Sequence, residues 1–257
     1  MRTFDHNSGQ YFEVNNACIY YEETGNREKP TLLMLHGGFE NIENLNIIAD
    51  YLSESFSIIG IDSRGHGKST LGDGKLTYEQ MQLDVEAILN HLRIDTLSIL
   101  GFSDGGIVAT RIAASNRVNV ENLIIIGSSW SVKDVTSSEE VVKTINTESA
   151  KEIFSDNYKT YQLLNPEPDF NCFTQAMVKM WLDKTETGHP DERVKNISAR
   201  TLIIRGDNDF LVSLESISAL QRNIKDSSLL NVPFVEHVVH QEQKEIVEIA
   251  IKQFLCS

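Results

Sequence analysis

A serine flanked by glycines follows directly after an apolar run near the middle of the chain. Residues 98–108 read SILGFSDGGIV, and the pattern Gly-x-Ser-x-Gly is followed by small residues typical of a helix. It predicts a strand, a sharp turn and a helix, with Ser103 in a strained backbone conformation at the turn. Gly101 and Gly105 lack the Cβ atoms that would collide across so tight a turn. Taken alone, the pattern fits an ordinary strand-to-helix turn as well as it fits a nucleophile.

Short apolar runs alternate with helical patterns along most of the chain. Strands are predicted at residues 11–14, 17–23, 31–35, 56–61, 98–100, 118–126, 200–206 and 228–232. Helical periodicity is found at residues 42–52, 78–92, 107–113, 214–224 and 242–255. This order predicts an α/β fold, in which a mostly parallel eight-stranded sheet (from the strands just given) is flanked by helices on both faces.

The pattern changes between residues 131 and 199, where apolar runs are sparse and the helical patterns are amphipathic. We expect this segment to be an inserted helical cap, and residues 1–130 and 200–257 to form the core domain. Ser137 and Glu140 have the spacing of a capping box. The stripe of Phe173, Met177, Met180 and Trp181 is interpreted mainly as a packing face.

Composition limits the classes of partner. The 257 residues include 23 basic and 37 acidic side chains, and a net charge of −14 argues against nucleic acid and anionic membranes as partners. The three cysteines are widely spaced, as expected in a reducing compartment. The first 16 residues are polar and resemble no signal peptide, so we expect a cytoplasmic protein, either a monomer or a homodimer.

A serine nucleophile needs a base and an orienting carboxylate. The sequence GDNDF follows the strand predicted at 200–206 and supplies Asp209, with Asp207 as a local rival. Two histidines, His237 and His240, follow the last predicted strand, and either could be the base. Their His-x-x-His spacing also permits a metal site, but no third ligand cluster accompanies it, so we predict no metal and no cofactor.

An oxyanion hole needs two backbone N–H donors near the nucleophile. One is expected from Asp104, directly after the serine, and the other from Gly38 or Phe39, in the loop after the strand at 31–35. His36 in that loop is expected to be a structural hydrogen-bonding residue.

Four motifs occur in the order found in α/β-hydrolases, and the chain resembles that family over essentially its whole length. They are His36-Gly37-Gly38, the loop DSRGHGKS at 62–69, the turn at Gly101 to Gly105, and Gly206-x-x-Asp209. The resemblance implies a triad of Ser103, Asp209 and His237, in the family's chain order.

Family members commonly carry a glutamate five residues after the catalytic histidine and a Phe-Leu pair near the end of the last helix. Glu242 and the pair at 254–255 match when His237 is the base, so the resemblance selects His237 over His240. Three positions depart from the family pattern: Glu236 replaces a glycine, and Lys244 and Ser213 replace prolines. The first lies beside the histidine and bears on the pose of its loop.

The sequences GFSDGG at 101–106 and KMWLD at 179–183 resemble the biphenyl-hydrolase-like, valacyclovir-hydrolase branch. In that branch the aspartate after the nucleophile recognises the α-amino group of amino-acid esters. The resemblance therefore implies that Asp104 and Trp181 bind substrate. The other interpretation is that the Asp104 side chain pairs locally and only its amide takes part.

The motifs and the resemblance together imply a serine hydrolase that cleaves small esters through an acyl-enzyme. Amino-acid esters, amides, lactones and thioesters are further substrate candidates. Two alternatives remain at this point: a carbon–carbon bond hydrolase of the same fold, and a small-molecule receptor without turnover.

Overall fold

The structure, a computed structural model, describes residues 3–256, without the side chains of residues 136–138. Its strands are β1 (Gln10–Val14), β2 (Ala17–Thr24), β3 (Thr31–Leu35), β4 (Ser57–Ile61), β5 (Thr96–Phe102), β6 (Asn119–Ile126), β7 (Arg200–Gly206) and β8 (Ser227–Val232). They form one eight-stranded sheet in the order β1-β2-β4-β3-β5-β6-β7-β8. The pairs β1–β2 and β2–β4 are antiparallel and the others are parallel, which confirms the predicted fold class.

The helices of the described chain lie between and after these strands. They are α1 (Asn46–Leu52), α2 (Tyr78–Leu92), α3 (Asp104–Ser115), α4 (Val132–Val142), α5 (Thr147–Ile153), α6 (Ser155–Leu164), α7 (Phe170–Trp181), α8 (Leu214–Asn223), α9 (Val239–Glu242) and α10 (Lys244–Cys256). Short 3-10 helices at Ile42–Leu45 and Asp191–Asn196 precede α1 and β7. The Thr77 side chain caps α2 by accepting the N–H of Gln80.

Both faces of the sheet are buried, because alternate residues of each central strand point to opposite sides. In β3, Leu33 and Leu35 belong to a hydrophobic cluster with residues of α2, α3 and α8. Leu32 and Met34 belong to a second cluster with residues of α1 and α10. The sheet is therefore a rigid layer whose carboxyl edge carries the loops after β3, β5, β7 and β8.

The segment between β6 and β7 contains α4 to α7 and the second 3-10 helix. Phe173, Met177 and Met180 are buried in the same cluster as α2 and α3, so the predicted packing stripe is confirmed. Helix α4 begins earlier than predicted: Ser131 is its N-cap, and the capping box joins Ser131 to Asp134. The capping box predicted at Ser137 is wrong, since that residue lies inside the helix; its side chain is outside the described part.

A buried charge cluster fixes the segment that precedes β1. His6 is almost fully buried, and its Nδ1 and Nε2 lie 2.7 Å from Glu43 Oε1 and 2.8 Å from Asp62 Oδ2. Burial lowers the pKa of His6, but the hydrogen bonds and charges of Asp62 and Glu43 outweigh it, and the net direction is upward. Asp62, from the motif loop at 62–69, thus serves a structural purpose.

This cluster makes stability depend on pH. Folding raises the pKa of His6 above its unfolded value of about 6.5. The contribution of His6 to the free energy of unfolding is therefore complete below the unfolded pKa, and it is lost as the pH rises through the folded pKa. We expect His6→Gln to lower the free energy of unfolding more at about pH 6 than at about pH 8.5. Urea unfolding of both proteins at the two pH values measures this, and an equal loss at both would contradict it.

Candidate active site

The turn between β5 and α3 holds Ser103 in a strained conformation. Its φ of 50° and ψ of −119° lie outside the ordinary regions for a residue with a side chain. A Cβ on Gly101 would lie 2.3 Å from the carbonyl oxygen of Gly105, and one on Gly105 would lie 2.3 Å from that of Leu35. Gly101 allows the end of β5 to approach the start of α3, and Gly105 allows α3 to approach the end of β3. Both glycines are therefore required, as the sequence pattern predicts.

Ser103, His237 and Asp209 form one hydrogen-bonded chain. His237 Nε2 lies 3.1 Å from Ser103 Oγ, and His237 Nδ1 lies 2.9 Å from Asp209 Oδ2. The carboxylate can only accept from Nδ1–H, which leaves Nε2 free to accept the serine proton. The other oxygen, Oδ1, accepts the N–H groups of Leu211 and Val212 at 2.9 and 3.1 Å. The Asp209 side chain is 0% exposed, so this array is held rigidly.

The alternative carboxylate, Asp207, and the alternative base, His240, are not part of this hydrogen-bonded chain. Asp207 Oδ1 accepts a hydrogen bond from the Asn231 side chain at 2.7 Å. His240 is 1% exposed and packs against the Phe102 ring with centroids 4.5 Å apart. Within the described part of the chain neither ring nitrogen of His240 has a hydrogen-bond partner, and burial, with a smaller contribution from His237, lowers its pKa to about 3. The structure therefore brings His237, not His240, to Ser103.

The loop that carries His237 lies directly against the end of β7. A Cβ on Gly206 would lie 1.9 Å from the carbonyl oxygen of Glu236, so only glycine fits there. The Glu242 carboxylate accepts the N–H of Glu236, with oxygens at 3.0 and 3.2 Å. Glu242 therefore fixes the loop through its backbone, and Glu236, which departs from the family pattern, is exposed and leaves His237 in place.

The loop after β3 packs beside the serine turn. His36 Nε2 accepts the N–H of Ser63 at 3.0 Å and its Nδ1 donates to the carbonyl oxygen of Gly37 at 2.8 Å, so His36 is a structural residue as expected. Phe39 has a φ of +59°, which is rare outside glycine. A Cβ on Gly38 would lie 2.6 Å from Asp104 Oδ2, so the structure brings this loop and the start of α3 together.

Asp104 is buried and accepts hydrogen bonds from two aromatic side chains. The Tyr78 hydroxyl donates to Oδ1 at 2.6 Å and the Trp181 indole N–H donates to Oδ2 at 2.8 Å. Burial raises the pKa of Asp104, while these two donors and the charge of His237 act in the opposite direction. The sequence did not reveal Tyr78 as a partner, because its position in the apolar face of α2 indicated only packing.

Comparisons with known proteins identify the family of this fold. Residues 30–157 match the sequence profile of the alpha/beta hydrolase fold family. A Haemophilus influenzae protein, provisionally named an esterase/lipase, is 30% identical over 241 residues, which cover 88% of this chain and 83% of that protein. The chain belongs to the α/β-hydrolase family.

Other relatives of this α/β-hydrolase are more distant. The human serine hydrolase BPHL is 25% identical over 244 residues, covering 88% of this chain and 79% of that protein. A crystal structure from Acinetobacter baumannii, provisionally named a lipase, has a TM-score of 0.79 at 20% identity, covering 97% of this chain and 91% of that one. These relatives identify a hydrolytic enzyme of the α/β fold with esterase- and lipase-like homologues.

The hydrolase carries an aromatic cluster over the loop after β3. The Phe39 ring lies 4.8 to 5.6 Å from the rings of Phe154, Phe170, Phe173 and Trp181. Because these four rings come from the segment between β6 and β7, that segment packs directly on the site.

Among residues 3–256, no group of three or more His, Cys, Asp or Glu side chains could hold a metal ion. In the same residues, no helix combines the length and apolarity that a membrane span requires.

Proposed function

We propose that this α/β-hydrolase cleaves small esters through a covalent acyl-enzyme on Ser103. The hydrogen-bonded chain of Ser103, His237 and Asp209 at the carboxyl edge of the sheet carries the proposal. Ser103 Oγ attacks the acyl carbon while His237 Nε2 takes the hydroxyl proton. The bond from the acyl carbon to the leaving oxygen then breaks, and His237 returns the proton to that oxygen. Water, activated by the same histidine, releases the acid and restores the serine.

The negative charge that develops on the acyl oxygen requires backbone donors. We assign one to the amide of Asp104, the first residue of α3, and the other to Gly38 or Phe39. The Gly105 backbone meets the carbonyl groups at the end of β3, so the two donor segments are held in one place. The N-terminus of α3 adds a partial positive charge near the same point.

We propose that residues 131–199 act as a cap over this site, and that residues 1–130 and 200–257 are the catalytic core. The aromatic cluster around Phe39 supports the assignment, because it joins α7 to the loop of the oxyanion hole. A cap in this position limits the size of the acyl group. Amides, lactones and thioesters are further substrates that the same chemistry permits.

The Asp104 side chain indicates a preference for cationic acyl groups. Both of its hydrogen-bond donors, Tyr78 and Trp181, are neutral, so the charge of a buried carboxylate is only partly offset. A carboxylate accepts up to about four hydrogen bonds, and Tyr78 and Trp181 supply two of them. Because Asp104 Oδ2 lies beside Gly38, such an ammonium would sit next to the acyl carbon. We therefore propose α-amino esters as the preferred class.

A matched pair of substrates tests the function and the preference together. We expect the p-nitrophenyl ester of alanine to be hydrolysed with a kcat/KM at least about 10-fold above that of the propionate ester, from one charge-assisted hydrogen bond. Asp104→Ala should abolish the difference, whereas Asp207→Ala, at an aspartate outside the site, should keep it. Equal rates in the wild type, or a preference that survives Asp104→Ala, would exclude the amine site. Hydrolysis of neither ester above background would contradict the esterase assignment.

A further inference from the structure

Glu40 closes the loop that supplies the second oxyanion donor. Its Oε2 accepts the N–H of Gly37 at 3.0 Å, and its own N–H donates to the carbonyl oxygen of Gly37 at 3.3 Å. These two hydrogen bonds bracket Gly38 and Phe39, the residues whose amides the mechanism needs. Since Phe39 has a positive φ, the loop needs such a restraint to keep its shape.

The carboxylate of Glu40 and the Phe102 ring flank the same small space beside Gly37. A Cβ on Gly37 would lie 3.1 Å from Glu40 Oε2 and 3.0 Å from the Phe102 ring. The Phe102 ring also packs against the His237 ring, with centroids 5.2 Å apart. The loop that Glu40 closes is thus packed against a ring that also contacts His237.

The charge of Glu40 is sensitive to this environment. Burial raises the pKa of Glu40 to about 7, against the effect of the Gly37 N–H and of His237, while the nearby Asp104 carboxylate raises it further. His237, from the loop after β8, and Asp104, from the first turn of α3, are the titratable groups that act on it. The Gly37 N–H favours the ionised form of Glu40, so the loop contact is strongest when this carboxylate is charged.

We propose that Glu40 is a positioning residue of the hydrolase site, which holds the Gly38–Phe39 backbone in place. The inference rests on the proposed serine mechanism and adds a second carboxylate to it. Asp209 orients the imidazole by direct contact, whereas Glu40 acts through the loop.

Two substitutions test this role of Glu40. Glu40→Gln keeps an acceptor for the Gly37 N–H but removes the charge, and we expect its kcat to stay within about 3-fold of wild type. Glu40→Ala removes the acceptor as well, and its kcat should fall by about 10-fold or more with KM little changed, since oxyanion contacts form only in the transition state.

Glu236→Gln is the matched control, because Glu236 adjoins His237 in sequence but its side chain is exposed and screened by solvent. Its kcat and KM should match those of wild type. Equal losses of kcat in both Glu40 variants, or a kcat of Glu40→Ala within about 3-fold of wild type, would overturn the proposal. The variants are compared only after the wild-type enzyme has been shown to be active and to be labelled at Ser103 by a fluorophosphonate. A failure of the serine mechanism would therefore be seen in the wild-type enzyme, and a failure of the Glu40 proposal only in the variants.

Discussion

Ser103→Ala is expected to reduce kcat for ester hydrolysis by about 10⁴-fold or more, because no other group takes over the covalent step. The substitution removes only the hydroxyl that lies 3.1 Å from His237 Nε2. The strained backbone is the same for alanine as for serine, so the melting temperature should stay within about 2 °C of wild type. Turnover of p-nitrophenyl acetate and a thermal scan of the same preparation measure both quantities.

Ser115→Ala is the control for this substitution. Ser115 is the last residue of α3, and its hydroxyl binds Glu86 and the carbonyl of Ile112, away from the site. Its activity should equal that of wild type within about 2-fold. Retention of more than about a tenth of wild-type kcat by Ser103→Ala would show that this serine is not the nucleophile.

Asp209→Asn is expected to lower kcat by about 10⁴-fold while the protein stays folded. An asparagine can still accept the N–H groups of Leu211 and Val212 through its carbonyl oxygen. Its NH₂ group would then face His237 Nδ1 and would require that nitrogen to be an acceptor. Nε2 would carry the proton instead, and the histidine could no longer take one from Ser103. Steady-state kinetics with the preferred ester measures the loss.

Asp207→Asn provides a control from the same loop. Asp207 Oδ1 accepts a hydrogen bond from Asn231 and has no contact with His237 among the described hydrogen bonds. This variant should keep its kcat within about 3-fold of wild type. Equal losses in the two variants would show that the loop as a whole, and not the Asp209 carboxylate, supports the reaction.

The features that were predictable from sequence are those set by local chemistry. Continuous apolar runs predicted the buried strands, and the positions of the glycines predicted the turn at Ser103. Asp209 and the two histidines each follow a predicted strand, and the resemblance to α/β-hydrolases selected His237, which the structure brings to Asp209. In each case a few neighbouring residues determine the outcome.

The features that were missed depend on contacts between distant parts of the chain. Tyr78 follows the N-cap of α2 and was interpreted as apolar, but its hydroxyl meets Asp104 across 26 positions. Trp181 reaches the same carboxylate from α7, across 77 positions. Glu40 stands two residues after the loop motif, yet only the fold shows its carboxylate turned back to Gly37. Polar side chains with partners so far away leave no periodic signal.

The nucleophile is the centre of this account, and covalent labelling tests it most directly. The wild-type enzyme is treated with a fluorophosphonate, and the modified residue is identified by peptide mass spectrometry. We predict one phosphonyl group per chain, attached to Ser103, with loss of esterase activity in proportion to labelling and no labelling of Ser103→Ala. An unlabelled Ser103 in a wild-type preparation that hydrolyses esters, or labelling at another serine, would contradict the account.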